Sequence, residues 1–594
     1  MGRGRRSVPR RGAGLVVLAL VAAVLSSCSS TPAPTASGRV LLVGTYKGVA
    51  GKYSSIQAAV NAAHRGNWIL VAPGDYHEQD DVSSPPTATQ AGDGDMGGVV
   101  ISTPGLHLRG MNRNTVIVDG TKPGSPPCSS SASDQDFGPL APGSDPSGTS
   151  TTNANAYGTS EPTGKADGRN GIVVWKADNV EIDNLTVCNF LTGAGDAGNQ
   201  IWWNGGDGSG KIGLTRYTGT YLTATSSYYS LNAAGGYGVF SSNSAGPATW
   251  NQLYANDEND SGMYVGACHQ VCDVTIDHAW MENNALGYSG TNSGGAVVIE
   301  HSQFDHNQDG ADTNTQVAGD PPPPQNGDCP GHAISPITHT RSCWVFMDNY
   351  VHNNNNPDPP AAGSAAAGPI GTGMTVSGGR NDTVMDNTFA DNGAWGTLIV
   401  PYPDTGTPSP GVSCSGSGGH PDGALGCVYD PEGDALLDNT YTHDGYFGNQ
   451  SNSDFGQITL SAGEPQNCFA GNRAPAGSTP ADLEQTQAKC GPLTTSSNTG
   501  GPLLDQVECD AGFLPCSSTE VYPKRTGTTL AKVPRRLPTM PNPCAGVPAD
   551  PWCPSGSSGS ALGSSHRGTG ATATIAIGAV VPAGSTVIRR RRRR

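Results

Sequence analysis

An all-β solenoid is the fold this sequence predicts, and three observations predict it. A short frame recurs: Val274–Asn284 (VTIDHAWMENN) lies over Val297–Asn307 (VVIEHSQFDHN), with Ile276 on Ile299, Met281 on Phe304 and Asn284 on Asn307, each 23 residues apart. Val345–Asn354, Thr383–Asn392 and Ala435–Asp444 carry the same frame; Asn349, Asn387 and Asn439 share one column, and Val351, Phe389 and Tyr441 share another. A period in the low twenties with so few apolar residues per run suits one coil, whose apolar edge is buried only when coils stack. The composition agrees: 83 Gly and 46 Pro among 594 residues, with 35% hydrophobic and 6% aromatic, imply many turns per unit of core. Disorder competes as a reading of that composition, and fails in the middle, where Val, Ile, Phe and Trp recur in register.

The chain opens on Arg3, Arg5, Arg6, Arg10 and Arg11 followed by the apolar run Leu15–Leu25, which reads as a secretion signal over Met1–Ser27, with Arg10-Arg11 a weak twin-arginine hint. Its end, Leu25-Ser26-Ser27-Cys28, resembles the lipobox of bacterial lipoproteins. The resemblance implies cleavage before Cys28, diacylation of Cys28 and a membrane partner through that anchor, with residues 28–38 as tether. The formal charge is −17; setting aside the five leader arginines and the six closing ones leaves 22 Lys+Arg against 50 Asp+Glu, or −28. So acidic a body repels nucleic acid.

Arg39–Gly44 reads as a buried strand. Ser54 to Gln57 is a candidate capping box opening a helix with Ile56, Ala59, Val60 and Ala63 on one face and an end near Gly66. Trp68–Ala72 is a second strand, and helix and strand together read as a cap for the open end of the solenoid. The stretch YSSIQAAVNAAHRGNWILVAPGDYHE, with Gly98–Gly110 and Thr115–Gly120 as next rungs, resembles the start of the right-handed parallel β-helix (pectin-lyase-like) superfamily. The resemblance covers roughly residues 39–475 and implies a right-handed parallel β-helix with a short capping helix and inserted loops; it is poor for function, because that fold hosts lyases, hydrolases, esterases, epimerases and adhesins. Thr121–Asp167, Gln316–Ser342 and Pro403–Gly433 are the loops, expected to wall a groove. Residues 476–570 read as a stapled Cys/Pro-rich layer and a disordered tail, and 571–594 as a weak apolar segment ending in arginines.

Fifteen cysteines less Cys28 leave fourteen, an even number suited to an oxidising compartment. Nearest-neighbour pairing gives Cys268–Cys272, Cys329–Cys343, Cys414–Cys427, Cys468–Cys490, Cys509–Cys516 and Cys544–Cys553, with Cys128–Cys188 left over.

Side chains alternate along a strand. If Met263, Ala311 and Met374 face inward, then Tyr264, Ser289, Asp312, Thr375 and Leu398 form one outward column, and Gly266, Thr291, Asn314, Ser377 and Val400 the next. Within that floor Asp309, Asp312 and Arg380 are the candidate catalytic groups, a carboxylate pair with an arginine suited to acid–base work on a sugar. Tyr264, Asn314 and Asp382 are candidate substrate contacts, and Trp202 and Trp203 a candidate sugar-stacking platform. Asp257-Glu258-Asn259-Asp260 is a possible calcium loop, making Ca2+ the one cofactor considered. The Asn columns read as architecture, tolerating left-handed turns and laddering their amides. His278 and His301 share a column with Asp348, Asp386 and Asp438 and read as polar turn residues. No complete paired-aspartate hydrolase set and no Asp-Pro-His triplet appears. Two functions stay open: a monomeric extracytoplasmic protein that binds polysaccharide in a groove along one sheet, with cleavage as lyase or glycosidase left open, or a non-catalytic envelope or adhesive protein.

Overall fold

In the computed structural model the described residues are 38–78, 97–137, 168–191, 198–206, 211–230, 233–268, 271–315, 325–404, 413–415, 418–423, 426–458, 467–488 and 502–554. The leader, Cys28, Cys490 and the 571–594 segment lie outside them. Three long sheets dominate, every neighbouring pair of strands parallel. A first sheet of 12 strands runs from Val40–Val43 to Cys468–Ala470, a second of 10 from Gly74–Tyr76 to Thr440–Thr442, and a third of 11 from Gly97–Ile101 to Ser478–Thr479. Each coil contributes one strand to each sheet in turn, which makes the fold a parallel β-helix. Crossover sterics favour the right hand for such coils.

One coil shows why. From Val271–Asp277 through Trp280–Glu282 to Leu286–Thr291, the residues Val274, Ile276, Met281 and Tyr288 point inward and are at most 1% exposed. The next coil repeats this with Val297, Ile299, Phe304 and Ala311, so identical positions stack along one core. Between the first and second strands a single residue turns the chain in the left-handed region: His278, His301, Asp348, Asp386 and Asp438 hold φ between 49° and 56°. That is the polar column seen in the sequence, and its role is backbone geometry.

The asparagines behave differently from the expectation. The left-handed conformation falls on the residue before each of them, as at Asn283 and His306, and the columned asparagines themselves form hydrogen-bonded ladders. Asn284 donates its amide to Asn307 Oδ1 at 3.1 Å, Asn307 to Asn354 at 3.0 Å, Asn354 to Asn392 at 3.2 Å and Asn392 to Asp444 at 2.9 Å. A second ladder runs from Asn387 to Asn439 to Asn472. Glycine is required beside the first ladder: a Cβ on Gly287, Gly310 or Gly373 would come within 2.5 Å of the next coil's carbonyl and 2.9 Å of a ladder amide.

The helix Ile56–Asn61 is shorter than expected and is capped by Ser55, whose hydroxyl accepts from Ala58 N; Ser54 is not the cap. Its buried Ile56, Ala59 and Val60 pack with the first strands. Six of the expected disulfides are formed, Cys128–Cys188, Cys268–Cys272, Cys329–Cys343, Cys414–Cys427, Cys509–Cys516 and Cys544–Cys553, which fits an oxidising compartment. Cys468 is also disulfide-bonded.

Residues 502–554 form a layer on the solenoid, stapled by Cys509–Cys516 and Cys544–Cys553. The helix Pro502–Asp510 lies on the third sheet, with Leu503 packed against Trp395, Leu398, Val400 and Ile458. From there an irregular strap runs back along the solenoid. Val521 N donates to Asn449 Oδ1 (2.8 Å), Arg525 to Gln308 Oε1 (2.6 Å), Asn283 to Thr529 O (2.9 Å) and Ala531 N to Asp257 Oδ1 (2.8 Å). Thr539 then reaches Asn184 at 2.7 Å, and Trp552 Nε1 the Val49 carbonyl of the first coil at 3.0 Å.

Candidate functional site

Register along the third sheet fixes its outward column. Val173, Trp202, Phe240, Tyr264, Ser289, Asp312, Thr375 and Leu398 are successive partners on adjacent coils. The column has three zones. The early coils are aromatic: Trp202 stacks on Phe240 at 4.9 Å, and Tyr264 meets Phe240 edge-on at 4.7 Å. The late coils are aliphatic and covered by the C-terminal helix. Between them lie Asp312, Asn314, Thr375 and Ser377.

Over this polar middle is a cavity of about 410 Å³. Asp309, Asp312, Thr375 and Ser377 form its base, Tyr402 and Ile458 a side, and Leu504, Val507, Glu508 and Phe513 a roof. A smaller recess beside it joins Asp312 and Asn314 to Tyr237, Asp260 and Tyr264. Asp312 is thus shared by both spaces. Its carboxylate accepts from Asn314 Nδ2 (2.7 Å) and Ser377 Oγ (2.9 Å), and burial still pushes it up to about 6. Asp260 accepts from the Tyr237 hydroxyl at 3.0 Å; burial, aided by the charge of Asp312, raises it to about 7. Asp309 is 0% exposed, accepts from Thr375 Oγ1, and is held well above the ordinary carboxylate range by burial and then by Asp312. Two acids with partial exposure and one wholly buried acid behind them can therefore hold and exchange protons near neutral pH.

Several expected site residues lie elsewhere. Arg380 is not in the lining; it sits in a turn after the third-sheet strand, its Nη2 donating to the Gly418 carbonyl, and its charge bears on buried Asp434. Asp382 starts a first-sheet strand and is wholly buried within the coil, where a Cβ on Gly327 would approach its Oδ1 at 2.8 Å. Trp203 faces inward against Tyr217 and Trp250 and is 0% exposed, so it belongs to the core and only Trp202 faces outward. The supposed calcium loop diverges: Asp257 faces the strap at Ala531, Glu258 meets Gln200 inside, and Asp260 meets Tyr237 outside. Asp260 stands four residues before Tyr264 in one strand and shares its outward face, a place in the floor that the calcium-loop reading passes over.

Among the described residues, His and carboxylate ligand atoms gather within 4.8 Å at Asp75/His77/Asp119, Asp277/His278/His301 and Glu282/Asp305/His306. None of these groups lines the cavity.

No family model matches the chain, and no curated sequence does. Among solved structures it is similar to the mannuronan C-5 epimerase AlgE6 A-module of Azotobacter vinelandii, at 13% identity and a TM-score of 0.40, over 75% of this chain and 93% of that one. It is also similar to the endo-xylogalacturonan hydrolase of Aspergillus tubingensis (15% identity, TM-score 0.37, 78% and 100% covered) and to pectate lyase Pel9A (14%, 0.34, 82% and 90%). These likenesses assign no role to any residue of this chain.

Proposed function

We propose that the outward face of the third sheet binds a glycan and that Asp312 and Asp260 cleave a glycosidic bond there by acid–base hydrolysis. The observation that supports this most is the shared position of Asp312, a proton-holding carboxylate at the base of a cavity large enough for a small ligand. In this reading Asp260, raised the higher of the two, protonates the departing glycosidic oxygen and Asp312 takes a proton from the attacking water, so one water is consumed per bond broken. Asp309 is a positioning residue, acting through Thr375.

The sign of the charge narrows the substrate. The lining offers Asp309, Asp312 and Glu508 and no Lys or Arg among the described residues, so a uronate would be repelled and a neutral sugar is favoured. The roof favours a chain end over a chain interior, hence an exo-acting enzyme. Reducing-end release across a panel of neutral and acidic polysaccharides, with Asp312→Asn as control, tests the reading. Release only from neutral glycans, abolished in the variant, is expected; silence over the whole panel with glycan binding retained would leave the non-catalytic envelope protein, which the apolar roof Leu504, Val507 and Phe513 also suits. The same reading places the protein outside the cytoplasmic membrane, anchored at Cys28.

A further inference from the structure

The frame that organises the solenoid also stacks one chemical motif on itself. Asp277-His278 and Glu300-His301 are acid–histidine pairs on adjacent coils, and Asp277 and Glu300 are direct partners in the first sheet. Each histidine occupies the left-handed turn residue, with φ of 56° and 49°, so both rings leave the coil on the same side, with centroids 5.4 Å apart. Both Nδ1 atoms converge on one oxygen, Asp277 Oδ1, at 2.6 and 3.0 Å. The rings are 52% and 49% exposed, so a ligand in solution can reach them. Asn251 Nδ2 donates to the other carboxylate oxygen at 2.7 Å and holds Asp277 in place.

We propose that Asp277, His278 and His301 form a surface binding site for a first-row divalent cation of the Zn2+ class, with Glu300 as an adjoining carboxylate. The ligand set is the argument: two imidazoles with a carboxylate suit zinc, copper or nickel, whereas calcium and magnesium take oxygen ligands. Ligand atoms bound to one tetrahedral Zn2+ stand roughly 3.3 Å apart, given Zn–N and Zn–O distances near 2 Å; the 2.6 and 3.0 Å found here are hydrogen-bond spacings, which an ion would widen by less than about 1 Å. Asp277 and Glu300 stand opposite each other on adjacent strands, so a second carboxylate borders the two rings. Of the other two groups, Asp75/His77/Asp119 and Glu282/Asp305/His306 each offer a single imidazole. The site lies on the turn between the first and second sheets, so it is independent of the groove on the third.

The test is calorimetric titration of ZnCl2 into the tag-free full chain, beside His278→Asn and His301→Asn. Asparagine keeps the left-handed turn without an imidazole, so the coil is preserved. One saturable equivalent is expected, weakened more than about 100-fold in each variant, a larger loss than the roughly 10–100-fold that removal of an outer-shell partner causes. The same addition of Zn2+ should raise the Tm of the wild type and not of the variants, since only a ligand bound to the folded state stabilises it. His306→Asn, at another acid–histidine pair, should bind as the wild type does. Absence of a saturable equivalent, or one that survives in the His278→Asn/His301→Asn double variant, would overturn the proposal.

Discussion

Asn354→Ala removes the middle rung of the longer asparagine ladder. Asn354 is 0% exposed, and its side chain makes four hydrogen bonds: Nδ2 to Asn392 Oδ1 and Phe304 O, and Oδ1 from Asn307 N and Asn307 Nδ2. The losses are unequal. Asn307 Nδ2 retains the Met281 carbonyl at 3.1 Å, and Asn392 Nδ2 keeps both Val351 O and Asp444. The Asn307 backbone N–H loses its side-chain acceptor inside the coil, at a cost of about 1–3 kcal/mol, and the remaining bonds contribute about 1 kcal/mol each. A total of about 4–6 kcal/mol follows, which in a body this large lowers Tm by about 5–7 °C. Thermal denaturation followed by circular dichroism measures it, with exposed Thr442→Ala expected within about 0.5 kcal/mol of wild type. An Asn354→Ala protein equally close to wild type would refute the view that the ladder holds the coils together.

Other outcomes follow from the same structure. Stability should fall as pH rises from about 4 to 8: Asp260, Asp382 and Asp444 are raised to about 7 and Asp257 to about 8, so the folded chain keeps protons that the unfolded chain has released. Tm measured across that range should be highest at the acid end. If Asp260 is the general acid and Asp312 the base, hydrolysis should rise with pH through about 6 and decline above about 7, and Asp312→Asn should lower kcat by about 100-fold or more with a smaller effect on KM. Trp203→Ala should cost about 3–5 kcal/mol and leave glycan affinity of the folded protein unchanged, whereas Trp202→Ala should weaken binding measured by affinity electrophoresis. Truncation after Glu520 should convert one melting transition into at least two, read by calorimetry.

The sequence carried the parts of the fold that repeat. Ile299, Phe304 and Asn307 could be placed because the same frame recurs 23 residues earlier, and the outward column from Tyr264 to Leu398 follows from that frame and strand alternation. Errors gathered where the period breaks. Arg380 and Asp382 follow Gly378, whose φ of 70° turns the chain out of the third sheet, and an alternation extended past that glycine assigns them to the wrong surface. Trp202 and Trp203 are adjacent and so must face opposite sides, which paired them wrongly as one platform. The strap was illegible for another reason: its main-chain groups are held by side-chain amides and carboxylates, as at Asn283 and Asp257, and leave no apolar period to find.

The strap also acts as a gauge of length. Thr529 answers Asn283, and Ala531 answers Asp257 one coil earlier, so two of its residues keep pace with one coil. Two extended residues reach at most about 7 Å, against about 4.8 Å between neighbouring coils, which leaves little slack. Repeat proteins ordinarily grow and shrink by duplicating or losing a unit, since each unit meets only its neighbours. Here a duplicated coil would need a matching insertion some 250 residues downstream, as the separation of 246 between Asn283 and Thr529 indicates. The number of coils is therefore inherited together with the strap, and the two ends of this solenoid must evolve as one.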